Sequence, residues 1–380
     1  MNQSNKKYSG SLILAGMFLT GITGMILTGN MSEAGIPMIF FFLFLLVGIR
    51  GFPALKGFAF TVWVLAAAAL AMFYPEYMVR IGDFDTERLI VPLIQIIMFG
   101  MGTAMSLQDF AGVVKMPRGV LVGLSCQFTI MPVIGITLAL LMGFPAEIAA
   151  GIVLIGSSPS GVSSNVMAFI SNGNLALSVT LTAFATLLAP LMTPFLMQLL
   201  AGQMVPIEFY SMMISILKMI ILPVIAGLVF NRLFRGRVKW LHDLMPVVAM
   251  AANVVIIAVI VAAGRDSLLS IGLLLLIAAA IHNAAGYFLG YWGCRLFRMN
   301  KMDSRTIAFE VGMQNGGMAA GIASDMGRAA TMGLFPAVFG TWMDISGSIL
   351  ANWWRDRQPD NEKEVIPPVE INMAVENRSN

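Results

Sequence analysis

Two short segments hold most of the chemistry in this chain. The first, Ser157-Ser158-Pro159-Ser160-Gly161-Val162-Ser163-Ser164-Asn165, crowds five hydroxyls and one amide into nine residues. Pro159 deletes a backbone donor and disrupts the helix before it, while Gly156 and Gly161 tolerate unwound backbone. The second, Glu310-Val311-Gly312-Met313-Gln314-Asn315-Gly316-Gly317, sets an acid beside two amides and three glycines. Carboxylate, hydroxyl, amide and freed carbonyl oxygens are the ligands of a hard cation. Neither segment offers a cysteine or histidine, the usual ligands of a transition-metal site. Half-helices starting at such breaks would also point unpaired N–H groups at a small anion. Cation and anion sharing one site is the physics of a symporter. Each segment has a plainer reading too. The first is then a proline kink whose freed groups are met by neighbouring helices. The second is then a carboxyl paired with Lys218, the basic residue that falls inside an apolar run.

Other polar residues sit in apolar surroundings. Gln127 lies five residues before Pro132. Ser178 and Thr182 are spaced i, i+4 and so share a helix face, with bonding back to the i−4 carbonyl as the alternative use of their hydroxyls. His282 and Asn283 read as a hydrogen-bonded interior pair. An intramembrane serine hydrolase with His282 as base lacks both a G-x-S-x-G and an H-E-x-x-H motif. Cys126 and Cys294 read as small embedded side chains, not as a disulfide framework.

The elements that position these residues follow from composition. The 380 residues are 58% hydrophobic and 11% charged, against about 25% charged in soluble domains. Apolar runs of the length needed to cross roughly 30 Å of hydrocarbon recur along the chain. They are continuous rather than alternating, which excludes a β-barrel and predicts an all-α polytopic membrane protein. The net charge of +3 is scattered over loops and does not point to nucleic acid. Twelve spans are predicted, at 11–29, 35–50, 57–74, 88–106, 119–143, 147–171, 174–202, 209–231, 243–264, 267–297, 304–325 and 331–354. The first reads as a retained helix, not a signal peptide, since no A-x-A-like cleavage site follows it. With a cytoplasmic N-terminus, the outer loops carry only Arg80, Arg88, Arg265 and Arg328, so both termini are expected in the cytoplasm. Residues 355–380 read as a disordered polar tail.

Spans three to seven (57–202) and eight to twelve (209–354) make two sets of five. The fourth member of each contains one of the two broken segments. An odd-numbered repeat inserts with opposite topology in its second copy, so the expectation is two inverted five-helix repeats with discontinuous helices at the binding site. Residues 1–56 fall outside this plan as an extra N-terminal two-helix hairpin.

The residues are now specific enough to compare with a family. Gly151 to Gly202, Arg305 to Gly317 (RTIAFEVGMQNGG), Ile96 to Gly102 (IIMFGMG) and Asp344 to Leu350 (DISGSIL) resemble motifs of the bile acid:sodium symporter family, in order, across about Val62 to Trp354. The resemblance implies crossed broken helices in a core domain, a smaller panel domain that moves against it, and two sodium ions. It implies one ion at Ser164, Asn165, Ser178, Thr182 and Glu310. The other would lie at Gln127, Glu310 and Gln314 with backbone oxygens of Val311 and Met313. The substrate, a small organic anion of bile-acid-like or pantoate-like kind, would sit near Ser163, Ser164 and Asn315. Three departures stand out. The first two spans are extra, Val162 stands where a threonine follows the glycine-rich turn, and Met343-Asp344 replaces a neutral pair. An ionised Asp344 lining the cavity would repel a carboxylate, so Asp344 is expected to change substrate choice.

The reading is therefore a sodium-coupled symporter in a bacterial inner membrane. The alternatives are an organic-anion or metalloid efflux carrier of related fold, the serine hydrolase, and a sensor built on an inactive transporter core. A metalloid carrier would want a thiolate at the break, where this chain has Ser157 and Ser158. Glu310→Gln separates carrier from hydrolase: sodium-dependent uptake into proteoliposomes should vanish. Retained hydrolytic turnover in that variant would instead favour the enzyme.

Overall fold

The computed structural model describes residues 3–52, 59–234 and 239–357. The described residues are helical almost throughout. Helices α1 (Gln3–Leu27) and α2 (Gly35–Ile49) precede α3 (Ala59–Phe73) and a single-turn α4 (Pro75–Val79). A two-rung hairpin, β1 (Arg80–Ile81) with β2 (Phe84–Asp85), leads into α5 (Ile90–Ala104), α6 (Leu107–Lys115) and α7 (Pro117–Leu141). Next come the half-helices α8 (Ala146–Gly156) and α9 (Ser163–Ile170), then α10 (Leu175–Ala201). The second half runs α11 (Phe209–Ile216), a π turn at Leu217–Ile221, α12 (Leu222–Leu233), α13 (Lys239–Ala263) and α14 (Arg265–Leu296). It ends with the half-helices α15 (Lys301–Gly312) and α16 (Gly316–Asp325), and α17 (Leu334–Arg355).

Among the described residues, eight helices are long and apolar enough to cross a membrane unaided. The other four predicted spans are α2, α3 and the two broken pairs α8–α9 and α15–α16. At about 1.5 Å per residue, the 15 residues of α2 give roughly 22 Å, short of the hydrocarbon thickness. The amphipathic α6 falls between the predicted spans 88–106 and 119–143. Ser106 and Asp109 mark its start, where the Ser106 N–H donates to Asp109 Oδ2 at 2.6 Å. The π turn has a local cause: Pro223 cannot donate to the carbonyl four residues back, and a widened turn absorbs the mismatch. The tail from 358 onward, together with Lys56, Arg235 and Arg237, lies outside the described residues.

Packing divides the helices into two groups. In one, α5 packs on α12 and α13, and α13 on α3. In the other, α7 packs on α8, α10, α14 and α15, and α14 on α15 and α17. Within the second group the half-helices cross, with α15 against α9 and α16 against α8. Every residue from Ile148 to Gly156 is buried. Gly156 allows that depth, since a Cβ there would meet the Met131 carbonyl at 2.5 Å.

The N-terminal pair forms its own small apolar cluster. Leu46, Ile49 and Val62 pack with Leu12, and Phe18 stacks on Phe40 and Phe44 at 5.4 and 5.7 Å. The outer side of α1 stays open, with Leu27 82% exposed, which suits a lipid-facing brace on α3. Deleting the residues before Gly57 should lower membrane yield more than specific uptake per molecule. Quantitative immunoblotting beside proteoliposome flux checks this, and a fall in specific uptake at full yield would assign the pair to the transport cycle.

Candidate functional site

At the crossing the two breaks bond to each other. Ser160 and Gln314 form an isolated antiparallel bridge. The Gly161 N–H donates to the Met313 carbonyl at 2.9 Å, and the Asn315 N–H to the Pro159 carbonyl at 2.8 Å. Gln127, from α7, ties both breaks. Its Nε2 donates to the Ser158 carbonyl at 2.9 Å and to Gln314 Oε1 at 2.7 Å. Gly161 is required here, since a Cβ would meet the Gln314 carbonyl at 2.9 Å.

Glu310 sits one turn before its break and is 2% exposed. Its Oε1 accepts from Ser164 at 2.6 Å and from Ser178 at 2.5 Å. Its Oε2 accepts from Thr182 at 2.9 Å, and Ser160 lies alongside. Asn165 Oδ1 accepts from Ser178 at 2.8 Å and from Thr182 at 3.2 Å. Among the described residues no basic side chain reaches Glu310. Lys218 is exposed on the π turn, so the plainer Lys218–Glu310 pairing is not what the fold builds. The i, i+4 hydroxyls of α10 face the acid, not their own helix carbonyls. The expected first ion set, Ser164, Asn165, Ser178, Thr182 and Glu310, thus converges in one buried cluster from α9, α10 and α15.

The second expected set is partly assembled. Gln127 and Gln314 touch, and Gln314 Nε2 donates to the Val311 carbonyl at 2.6 Å. The Met313 carbonyl is taken by Gly161. Gln127 Oε1 is buried with no hydrogen-bond partner, which is costly unless an ion or water meets it. Among the described residues, Glu310 makes its hydrogen bonds within the first cluster only.

A cavity of about 410 Å³ opens beside the crossing, within the range of small-molecule sites. Its wall on one side is the start of α9 and α16 with part of α17, and on the other α3, α5 and α13. Ser163, Asn315 and Asp344 line it. Ser164 does not: it is fully buried and turned to Glu310. Thr61, Asn253 and Ser348 also line it and were not singled out from sequence. They come from three helices distant in the chain, and no local spacing marks them.

His282 and Asn283 do not bond each other. His282 Nε2 lies 2.9 Å from the Met131 carbonyl, and the ring packs on Phe339. Asn283 donates to the Gly312 carbonyl at 2.9 Å and accepts from Ser346. Both brace the crossing. Two clamps missed by sequence reasoning hold its outer ends. Arg305 donates to the carbonyls of Ser171, Trp354 and Arg357. At the other end Arg328 and Thr331 both donate to Glu147.

The Sodium Bile acid symporter family model matches residues 91–271. The chain is 38% identical over 307 residues to the uncharacterized sodium-dependent transporter YocS of Bacillus subtilis, covering 80% of this chain and 94% of that one. It is 31% identical over 301 residues to the probable sodium/metabolite cotransporter BASS1, chloroplastic, of Arabidopsis thaliana, covering 79% and 74%. The rice counterpart of that name is 32% identical over 308 residues, covering 80% and 74%.

Two variants separate scaffold from ion cluster in a melting experiment on purified protein. Gly161→Val should cost about 1–3 kcal/mol by overpacking, equally in sodium and in potassium. Thr182→Ala should cost more in sodium than in potassium. An equal cost of Thr182→Ala in both salts would mean that the hydroxyl serves packing alone.

Proposed function

The chain belongs to the sodium bile acid symporter family, a family of transporters rather than enzymes, and on that premise we propose sodium-driven uptake of a small carboxylate-bearing metabolite by alternating access. It is a multi-pass membrane protein with sodium-dependent transporters as relatives. The observation that carries the proposal is the buried carboxylate of Glu310, ringed by hydroxyls with no basic partner among the described residues. Ionised, such a group needs a cation, and the oxygen-only donor set suits a hard one.

In this reading one sodium ion takes Ser164, Asn165, Ser178, Thr182 and Glu310, the hydroxyls turning their lone pairs inward. A second takes Gln127 Oε1, Gln314 and Glu310, with the Val311 and Met313 carbonyls. The carboxylate of the substrate meets the first N–H groups of α9 and α16 in the cavity. Residues 57–202 and 209–354 act as inverted repeats. The α7–α10 and α14–α17 core then rocks against the α3, α5, α12 and α13 panel. Its home is a bacterial inner membrane with cytoplasmic termini.

Thermal stability in sodium against potassium, for wild type and Glu310→Ala, tests this. A ligand at 100 times its Kd adds about 2.7 kcal/mol per site. A sodium-specific gain in wild type that disappears in Glu310→Ala is expected. Equal stability of the wild type in both salts would overturn sodium coupling at this cluster.

A further inference from the structure

The cavity has an unusual charge balance for a carrier of simple organic anions. Among its described lining residues Asp344 is the sole ionisable side chain, and neither lysine, arginine nor histidine is among them. Asp344 accepts a hydrogen bond from the Ser163 hydroxyl, and among the described residues no cation pairs with it. One turn earlier on α17, Gly340 lines the same cavity, and a Cβ there would meet nothing within 4 Å. The acid therefore borders open space, not a packed interface. Ionisable groups at membrane depth cluster on substrate and ion pathways.

The opposite polarity lies close by. The first residues of α9 and α16, Ser163 and Gly316-Gly317, line the cavity; the Gly316 N–H donates to the Gln314 carbonyl at 3.0 Å, while the Ser163 and Gly317 N–H groups, at helix starts, have no intrahelical acceptor. Asn315 Oδ1 is spent on the Met318 N–H at 2.9 Å, which turns the donor end of that amide to other use. The cavity thus sets helix-start donors and a carboxylate without a cationic partner side by side on one wall. A plain monocarboxylate satisfies the donors but sets a like charge before Asp344. A purely cationic amine satisfies Asp344 but leaves the donors without an anion.

We propose that the transported metabolite is a zwitterion, with its carboxylate at the starts of α9 and α16 and a cationic nitrogen held by Asp344. This rests on the sodium-symport reading and names the substrate class for that same cavity. The side-chain amide of Asn253 and the hydroxyls of Thr61 and Ser348, from the facing walls, then serve the remainder of the molecule.

The test uses full-length purified protein in sodium and matched probe pairs that differ by the nitrogen. The pairs are leucine with isocaproate, phenylalanine with hydrocinnamate, γ-aminobutyrate with butyrate, and carnitine with β-hydroxybutyrate. Thermal shifts give apparent affinities. In wild type the binders should fall in the nitrogen-bearing set. Asp344→Asn should weaken those binders by at least about 30-fold while keeping the sodium shift without organic ligand. Binding of the plain acids at equal or higher affinity would overturn the proposal. So would a nitrogen-bearing binder indifferent to Asp344→Asn, or a sodium shift with no binder in the nitrogen-bearing set. Loss of the bare sodium shift in Asp344→Asn would make Asp344 an ion ligand and also overturn it. No sodium shift in wild type would instead remove the symport reading beneath it, a separate failure. The wild-type comparison stands even if the variant does not fold.

Discussion

Unwinding a helix inside a membrane frees backbone groups that no water can meet, and each must find a partner within the protein. The two breaks solve this largely with each other. Pro159 and Met313 carbonyls take the Asn315 and Gly161 N–H groups. Further freed carbonyls are met from neighbouring helices or from within the breaks. Thr193 serves Ser157, Gln127 serves Ser158, and Asn283 serves Gly312. Ser164 serves Gly161, and Gln314 serves Val311. Gln127 of α7, Thr193 of α10 and Asn283 of α14 are thereby explained as partners for broken backbone. That also accounts for why Gln127 and Asn283 are buried far from any loop.

The same constraint decides where charge stands. Arg305 binds carbonyls at the ends of helices and stacks over Trp354 at 5.7 Å, while Arg328 pairs with Glu147 where α8 begins. These clamps lie at the outer ends of the crossed pairs, near the polar boundaries. Glu310 is left with hydroxyls in the middle. An arginine or lysine at that depth would have neutralised the acid permanently. Hydroxyls instead hold it in place, as the proposed sodium site requires.

Much of this was legible in the sequence because membrane physics leaves few choices. Pro159 with Gly156 and Gly161, and the glycines around Gln314-Asn315, announce breaks in runs that are otherwise too apolar to end there. Glu310 stands out because an acid in such a run is costly. The i, i+4 spacing of Ser178 and Thr182 gave a shared face, though not what the face would meet. What stayed hidden depends on contacts between helices remote in sequence. Thr61, Asn253 and Ser348 reach one cavity from α3, α13 and α17. Lys218 looked embedded, and only its outward rotation on the π turn shows that Glu310 must find another counter-charge. The helix α6 was hidden for a different reason: it is too short for a hydropathy window, and its cap lies in a stretch that also reads as a polar loop.

Adjacent residues at each break face opposite ways, and this is how ion and substrate sites can be coupled without a long path. Ser163 lines the cavity while Ser164 holds Glu310. Asn315 caps α16 at the cavity while Gln314 touches Gln127 behind it. One peptide unit separates the two roles on each strand of the crossing. An ion that orders the inner residue restricts the φ and ψ of its neighbour, so the cavity side loses less freedom when substrate binds. By linkage the substrate must favour ion binding to the same degree. Because both breaks are bonded to each other, ordering one orders the other. In the proposed cycle the crossing would respond as a unit, with its outer ends held by Arg305 and by Arg328.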